Sequence, residues 1–226
     1  MRTPIYHRMF EYNLSLLPNA HLAELERGVR TIEEARERTG ATIGYPGWGL
    51  IYHILLSHLK RGRTEIIIET GTNQGCTTIV LAQALIDAGV DGHVMTFELE
   101  AENVEKAQQN FEAAGVSTRV ETYLGDVHER FAPAIQDLKD VRFALLDASH
   151  LFSDVMFEFE TLLPHLASDA LVVFDNTYRI AEAHEDQRVN GALKHIQKQH
   201  GGNVINVENV SWFTPGLALW QRLPSL

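Results

Sequence analysis

Asp147 closes the apolar run VRFALLD, and Asp175 and Asn176 close the run ALVVFDN. Two carboxylates and an amide oxygen are hard donors. They suit Mg2+ or Ca2+ and are poor for Zn2+. Three protein ligands leave room for water and a bidentate substrate, which suits Mg2+ in particular. The competing explanation is that Asp175 caps the next segment and Asn176 makes a turn. His150 follows Asp147 by one turn's spacing. Its imidazole titrates near neutrality, so it is a candidate proton acceptor; the alternative is a histidine that caps the following helix. Tyr178 and His184 are the other candidate bases.

A second constellation lies upstream. IIIETGTNQGCTT runs from an apolar segment through glycines into a helical pattern. Gly71 would let the backbone approach a ligand, and Gly75 would let a helix start close to a sheet. The spacing is E-x-G-x-x-x-G, not the G-x-G-x-x-G of dinucleotide sites. Glu69 at the mouth of this loop would repel a pyrophosphate but would favour a ligand bearing an ammonium or sulfonium. Glu98 ends the next apolar run, where an acidic side chain can take both hydroxyls of a ribose. A ligand with an amino-acid end and a ribose end matches both, and S-adenosylmethionine is such a ligand. As a bare turn between strand and helix the loop would say little; Glu98 and Gly125-Asp126 give it weight.

The elements that must position these residues alternate. EIIIE (65–69), HVMTFE (93–98), RVETYLG (119–125), VRFALLD (141–147) and ALVVFD (170–175) read as strands. TTIVLAQALIDAG, AENVEKAQQNFEAAG (101–115), a segment near 128–139 and FSDVMFEFETLLPHL read as helices between them, two closed by glycine. A polar helix is expected over about 181–200, then two strands joined by a turn at Pro215-Gly216, one of them antiparallel. Such alternation predicts an α/β fold with a doubly wound, mostly parallel sheet. In such sheets ligands bind beyond the carboxyl ends of the strands, and nearly every one of those ends here is acidic or amide.

The first sixty residues read as mostly helical. Leu22, Leu25, Val29 and Ile32 give one helix over 20–38, ended by Gly40, and GYPGWG (44–49) reads as a turn before the helix LIYHILLSHL. Trp48 either closes over a ligand or is buried beside the helix start. His53 and His58 read as core or surface histidines. Cys76 sits where a helix N-terminus lowers a thiol pKa, but nothing else marks a nucleophile, and packing is the expected role.

A chain of 226 residues suits one domain, here 1–60 as a helical cap and 61–226 as the α/β core. Hydrophobic content of 45% and charged content of 22% are ordinary for a soluble globular protein. The single cysteine rules out an internal disulfide. With no apolar span and no leader-like N-terminus, a cytoplasmic location is expected. A net charge of −11 without a basic run argues against nucleic acid or an anionic membrane as partner. A homodimer through the helical N-terminus is an option that no heptad run supports.

Taken in order, IIIETGTNQG, FELEAENVEKAQQNFEAAGV, YLGDVHE and ALLDASH resemble class I S-adenosylmethionine-dependent methyltransferases, over about residues 45–223. GLALWQRL is similar to the reversed final strand of that seven-stranded, Rossmann-like fold. The resemblance implies that Glu69, Gly71, Asn73 and Thr77 line the methionine part, with Gly75 also in the cofactor loop. It implies Glu98 at the ribose, Leu99 beside the adenine, Gly125, Asp126 and Val127 as the adenine pocket, and Asp147 and Ala148 beside the cofactor. DASH and FDNT resemble the motifs of metal-dependent O-methyltransferases of the catechol type, in which the place of His150 is held by a lysine base. LLDASHLF also resembles a bacterial branch that includes sugar methyltransferases of macrolide pathways and a cephalosporin-biosynthesis protein. That branch often carries Asp-Asp where this chain has Asp175-Asn176. The implied activity is Mg2+-dependent O-methylation of a small-molecule hydroxyl, with Asp147, Asp175 and Asn176 at the metal and His150 as base. The alternatives are a metal-independent N- or sugar O-methyltransferase, a nucleotide-binding oxidoreductase, and a noncatalytic relative of the fold.

Overall fold

The computed structural model describes residues 13–177, 186–207 and 216–223. Tyr178, His184 and Pro215 lie outside them. Seven strands form one sheet in the order β3-β2-β1-β4-β5-β7-β6: β1 Glu65–Thr70, β2 Gly92–Glu98, β3 Val120–Leu124, β4 Val141–Leu146, β5 Leu166–Asp175, β6 Asn203–Val207 and β7 Leu217–Gln221. The first five are mutually parallel, and β7 runs antiparallel to both β5 and β6. The expected doubly wound sheet with a reversed last strand is therefore present. β5 starts at Leu166, earlier than its apolar run suggests, because LASD extends the strand beside Val141.

Eight α-helices are present among the described residues: α1 Ala20–Glu26, α2 Ile32–Thr39, α3 Gly47–His58, α4 Cys76–Ala88, α5 Ala101–Ala114, α6 Val127–Ile135, α7 Phe152–Leu162 and α8 Val189–His200. The single helix expected over 20–38 is two. Gly28 takes φ +73°, and Thr31 then opens α2 with a capping box: its hydroxyl accepts from Glu34 N, and the Glu34 carboxylate accepts from Thr31 N. Apolar spacing alone does not register such a break. The helix expected over 181–200 starts at Val189 within the described residues. Alternate strand residues feed two cores: Ile67 packs with α3, α4 and α5, and Ile68 with α6, α7 and α8. Trp48 is fully buried in the first core, so its role is packing.

The register decides the site. Thr70 pairs with Phe97 and Leu146, and Leu146 pairs with Phe174. The residues just past these positions, Gly71, Glu98, Asp147 and Asp175, therefore emerge together at one edge of the sheet.

The opposite edge is held by a compensated ion cluster. Buried Arg142 donates to Glu65 Oε1 at 3.1 Å and to the His58 carbonyl at 2.6 Å. It also grips both Asp169 oxygens, at 3.2 and 3.0 Å, and Lys60 adds a contact to Asp169 at 2.9 Å. The Arg142 guanidinium holds the Asp169 carboxyl well below the usual carboxylate range. Removing one partner of a buried pair strands the other charge. Arg142→Met should therefore lose about 3 kcal/mol at neutral pH in chemical denaturation. A carboxyl with a depressed folded pKa stabilises above its unfolded value and loses that contribution as pH falls through the folded one. The gap between wild type and variant should thus narrow below about pH 4.

Candidate active site

A cavity of about 480 Å³ opens at the carboxyl edge of the sheet. Its walls include Gly71, Asn73, Glu98, Leu99, Gly125, Asp126 and Val127 on one side and Asp147, Ala148, His150, Asp175 and Asn176 on the other. Residues assigned from two separate constellations thus share one space.

Gly71 takes φ +83°, and a Cβ there would collide with the Asp147 carbonyl, so this strand end must be glycine. Asn73 also adopts positive φ (48°), and its N–H donates to Glu98 Oε2 at 2.6 Å. Glu98 Oε1 accepts from Glu100 N at 2.9 Å and Asn103 Nδ2 at 3.3 Å. Glu98 thereby ties the glycine loop to the end of β2 while still facing the cavity. Exposed Leu99 and half-buried Val127 line an apolar stretch, and Asp126 caps α6 by accepting from His128 N at 2.9 Å.

Three expected cofactor contacts sit elsewhere. Glu69 is fully buried beneath the loop instead of standing at its mouth. Its Oε2 accepts from Thr78 at 2.5 Å and from Thr96 at 2.6 Å, and Oε1 has no partner among the described residues. Burial pushes its pKa up to about 7. Because Thr96 spends its proton on Glu69, Thr72 donates to Thr96, at 2.6 Å, and the carboxyl supports the loop from below. Gly75 faces Phe111 of α5, where a Cβ would strike the ring, so its glycine serves helix packing. Thr77 lines a small recess beside the cavity and contacts the Thr42 hydroxyl at 3.3 Å. Cys76 is buried, and burial raises its thiol to about 12, overriding the helix N-terminus.

Asp147 and Asp175 lie within hydrogen-bonding reach of each other. Burial first, then neighbouring carboxylates, pushes both far above the usual range. No described Lys or Arg side chain pairs with either, and Asp175 Oδ1 is buried with no hydrogen-bond partner among the described residues. His150 Nε2 stands 3.3 Å from Asp147 Oδ1 and 2.9 Å from Asn176 Nδ2. Burial holds His150 below its ordinary pKa, so the ring is neutral and able to accept a proton. Asn176 takes φ +55°, a left-handed turn that swings its amide back toward His150. Ligand atoms of Asp147, His150 and Asp175 all lie within 4.8 Å of one another. The donor set, the raised carboxyls and the orphaned oxygen fit a hard cation.

Other cavity residues carried no readable signal. Ala41 and Thr42 reach the site from the segment before α3, and Asp154 and His128 from α7 and α6. Glu158, which lies outside the cavity, did carry one: it sits on the apolar stripe of α7 with Val155, Phe159 and Leu162, and it is buried. Burial raises its pKa to about 8.

Residues 68–177, just under half of the chain, match the family model described as a methyltransferase domain. This stretch carries a methyltransferase domain. Solved structures agree on the fold. The cofactor-bound protein Rv0187 from MTB is 21% identical, with a TM-score of 0.71 over 91% of this chain and 90% of that one. The O-methyltransferase TomG of Streptomyces achromogenes, in complex with SAM, is 20% identical, with 0.69 over 91% and 90%. An O-methyltransferase from Bacillus cereus in complex with SAH is 18% identical, with 0.69 over 90% and 91%. No curated protein matches the sequence. No helix among the described residues is long and apolar enough to cross a membrane.

Gly71→Ala tests the loop. Forcing a Cβ into a left-handed, crowded position should cost more than about 1 kcal/mol. It should lower the melting temperature and weaken S-adenosylhomocysteine at least tenfold in calorimetry.

Proposed function

We propose that this protein is an S-adenosylmethionine-dependent O-methyltransferase that modifies a small-molecule hydroxyl with the help of Mg2+. The observation that carries this reading is the pair Asp147 and Asp175, with one buried oxygen orphaned, facing the same cavity as Glu98. TomG with SAM and the Bacillus cereus protein with SAH support the choice of donor.

In this reading Gly71, Asn73 and Glu98 hold the amino-acid and ribose ends of the donor, and Leu99 with Gly125, Asp126 and Val127 bounds its base. Asp147, Asp175 and Asn176 hold the metal, which supplies a lowered pKa to the acceptor hydroxyl. His150 takes the proton of that hydroxyl, the oxygen gains the methyl group, and the sulfonium leaves as a neutral thioether. Orientation carries much of the rate, because the displacement is in line. The whole chain acts as one domain, in the cytoplasm, and Ala41 and Thr42 bring the segment before α3 to the cavity wall. The net charge of −11 supports a small molecule over nucleic acid.

The 3.3 Å contact between His150 and Asp147 favours a second reading, in which the two form a base pair without metal. Chelation separates them. Methyl transfer to a panel of hydroxyl acceptors, catechols and vicinal diols included, should vanish with chelator and return with Mg2+. Equal rates in both conditions would leave the metal-free reading standing. Asp175→Ala should abolish both turnover and Mg2+ dependence. His150→Ala should lower kcat by about 10²–10⁴ while S-adenosylhomocysteine binds as before in calorimetry.

A further inference from the structure

Glu158 lies outside the cavity, yet it is joined to the cavity's central carboxylate. Its Oε2 accepts the Thr70 hydroxyl at 2.6 Å. With its proton committed there, Thr70 Oγ1 offers a lone pair to the Asp147 N–H, at 3.2 Å. The same N–H also reaches the Thr70 carbonyl at 3.1 Å, the last rung between β1 and β4. Glu158 therefore fixes the rotor that holds the first residue of the loop 147–150. Its other oxygen, Oε1, is buried with no partner among the described residues. An unpaired buried carboxyl oxygen is costly, and an apolar side chain of the same size would pack at less cost. Packing alone gives no reason for a glutamate on the apolar face of α7.

We propose that Glu158 is a positioning residue for Asp147, acting through the Thr70 hydroxyl to set the carboxylate for metal binding. The metal part rests on the function proposed above. Glu69 acts in the same manner on the other loop, through Thr96 and Thr72. Partners behind metal ligands typically contribute a factor of about 10–100 in metal affinity.

The test uses the full chain, with Mn2+ as probe, and three variants. Glu158→Gln keeps an oxygen acceptor for Thr70. Glu158→Leu removes it. Thr70→Val removes the hydroxyl and covers the case in which the leucine variant fails to fold. Amide hydrogen exchange at Asp147 in the metal-free protein reads the positioning directly. Exchange should accelerate at least tenfold in Glu158→Leu and in Thr70→Val, but stay near wild type in Glu158→Gln. Mn2+ affinity, measured by electron paramagnetic resonance, should fall by about 10–100-fold in the same two variants. S-adenosylhomocysteine affinity should hold in both variants and the melting temperature should hold in Glu158→Leu, a pattern that a merely structural role would not produce. Unchanged Asp147 exchange and Mn2+ affinity in both Glu158→Leu and Thr70→Val would overturn the proposal. A wild-type protein that binds no Mn2+ would reject the metal reading alone, and the exchange rates would then decide the positioning by the same criterion.

Discussion

The concentration of buried carboxyl groups under one end of the sheet is the constraint on which the rest depends. Burial raises the proton affinity of Glu69, Asp147, Glu158 and Asp175; the charges of Glu69 and Glu158 add to it at Asp147 and that of Asp147 at Asp175, and no described lysine or arginine side chain pairs with them. Burying even one unpaired carboxylate is expensive, and such groups protonate or find a cation. Threonine hydroxyls satisfy one oxygen each of Glu69 and Glu158 and pass the order on to the two loops. Among the described residues no hydroxyl donates to Asp147 or Asp175. That difference separates the supporting acids from the pair that faces the cavity.

The contrast with the other end of the sheet sharpens this. There Glu65 and Asp169 are buried or half-buried as well, but Arg142 and Lys60 neutralise them. The same fold thus balances charge at one edge and leaves it unbalanced at the edge where the cavity opens. Uncompensated acids at one edge and compensated ones at the other mark the first as the candidate site, since strongly shifted carboxyls cluster at functional sites.

Much of this was readable before folding. The strand–helix alternation, the glycine closures of α4 and α5 and the acidic strand ends all follow from local pattern. So did the grouping of Glu98, Asp126, Asp147 and Asp175 beyond those ends, because parallel strands deliver their carboxyl termini to one side. The break between α1 and α2 escaped because apolar spacing continues across it, while the break lies in the backbone at Gly28 and in the Thr31 cap. Glu69 was placed at the wrong depth for a related reason. A strand's last side chain points to one face or the other, and only the helices that cover that face decide whether it meets a ligand or the core.

By itself the sequence determined the architecture and the chemistry available, because periodicity, glycine placement and residue type are local properties. It carried the oxygen donors, the imidazole between them and the loop that must be glycine. Tertiary structure alone decided which carboxyls touch and which stay hidden. Register set Asp147 beside Asp175, burial moved Glu69 and Glu158 behind the loops, and a single threonine connected Glu158 to the site. Those outcomes depend on distances between residues far apart in the chain and on the dielectric around them, which exist only once the sheet and its two layers of helices have closed.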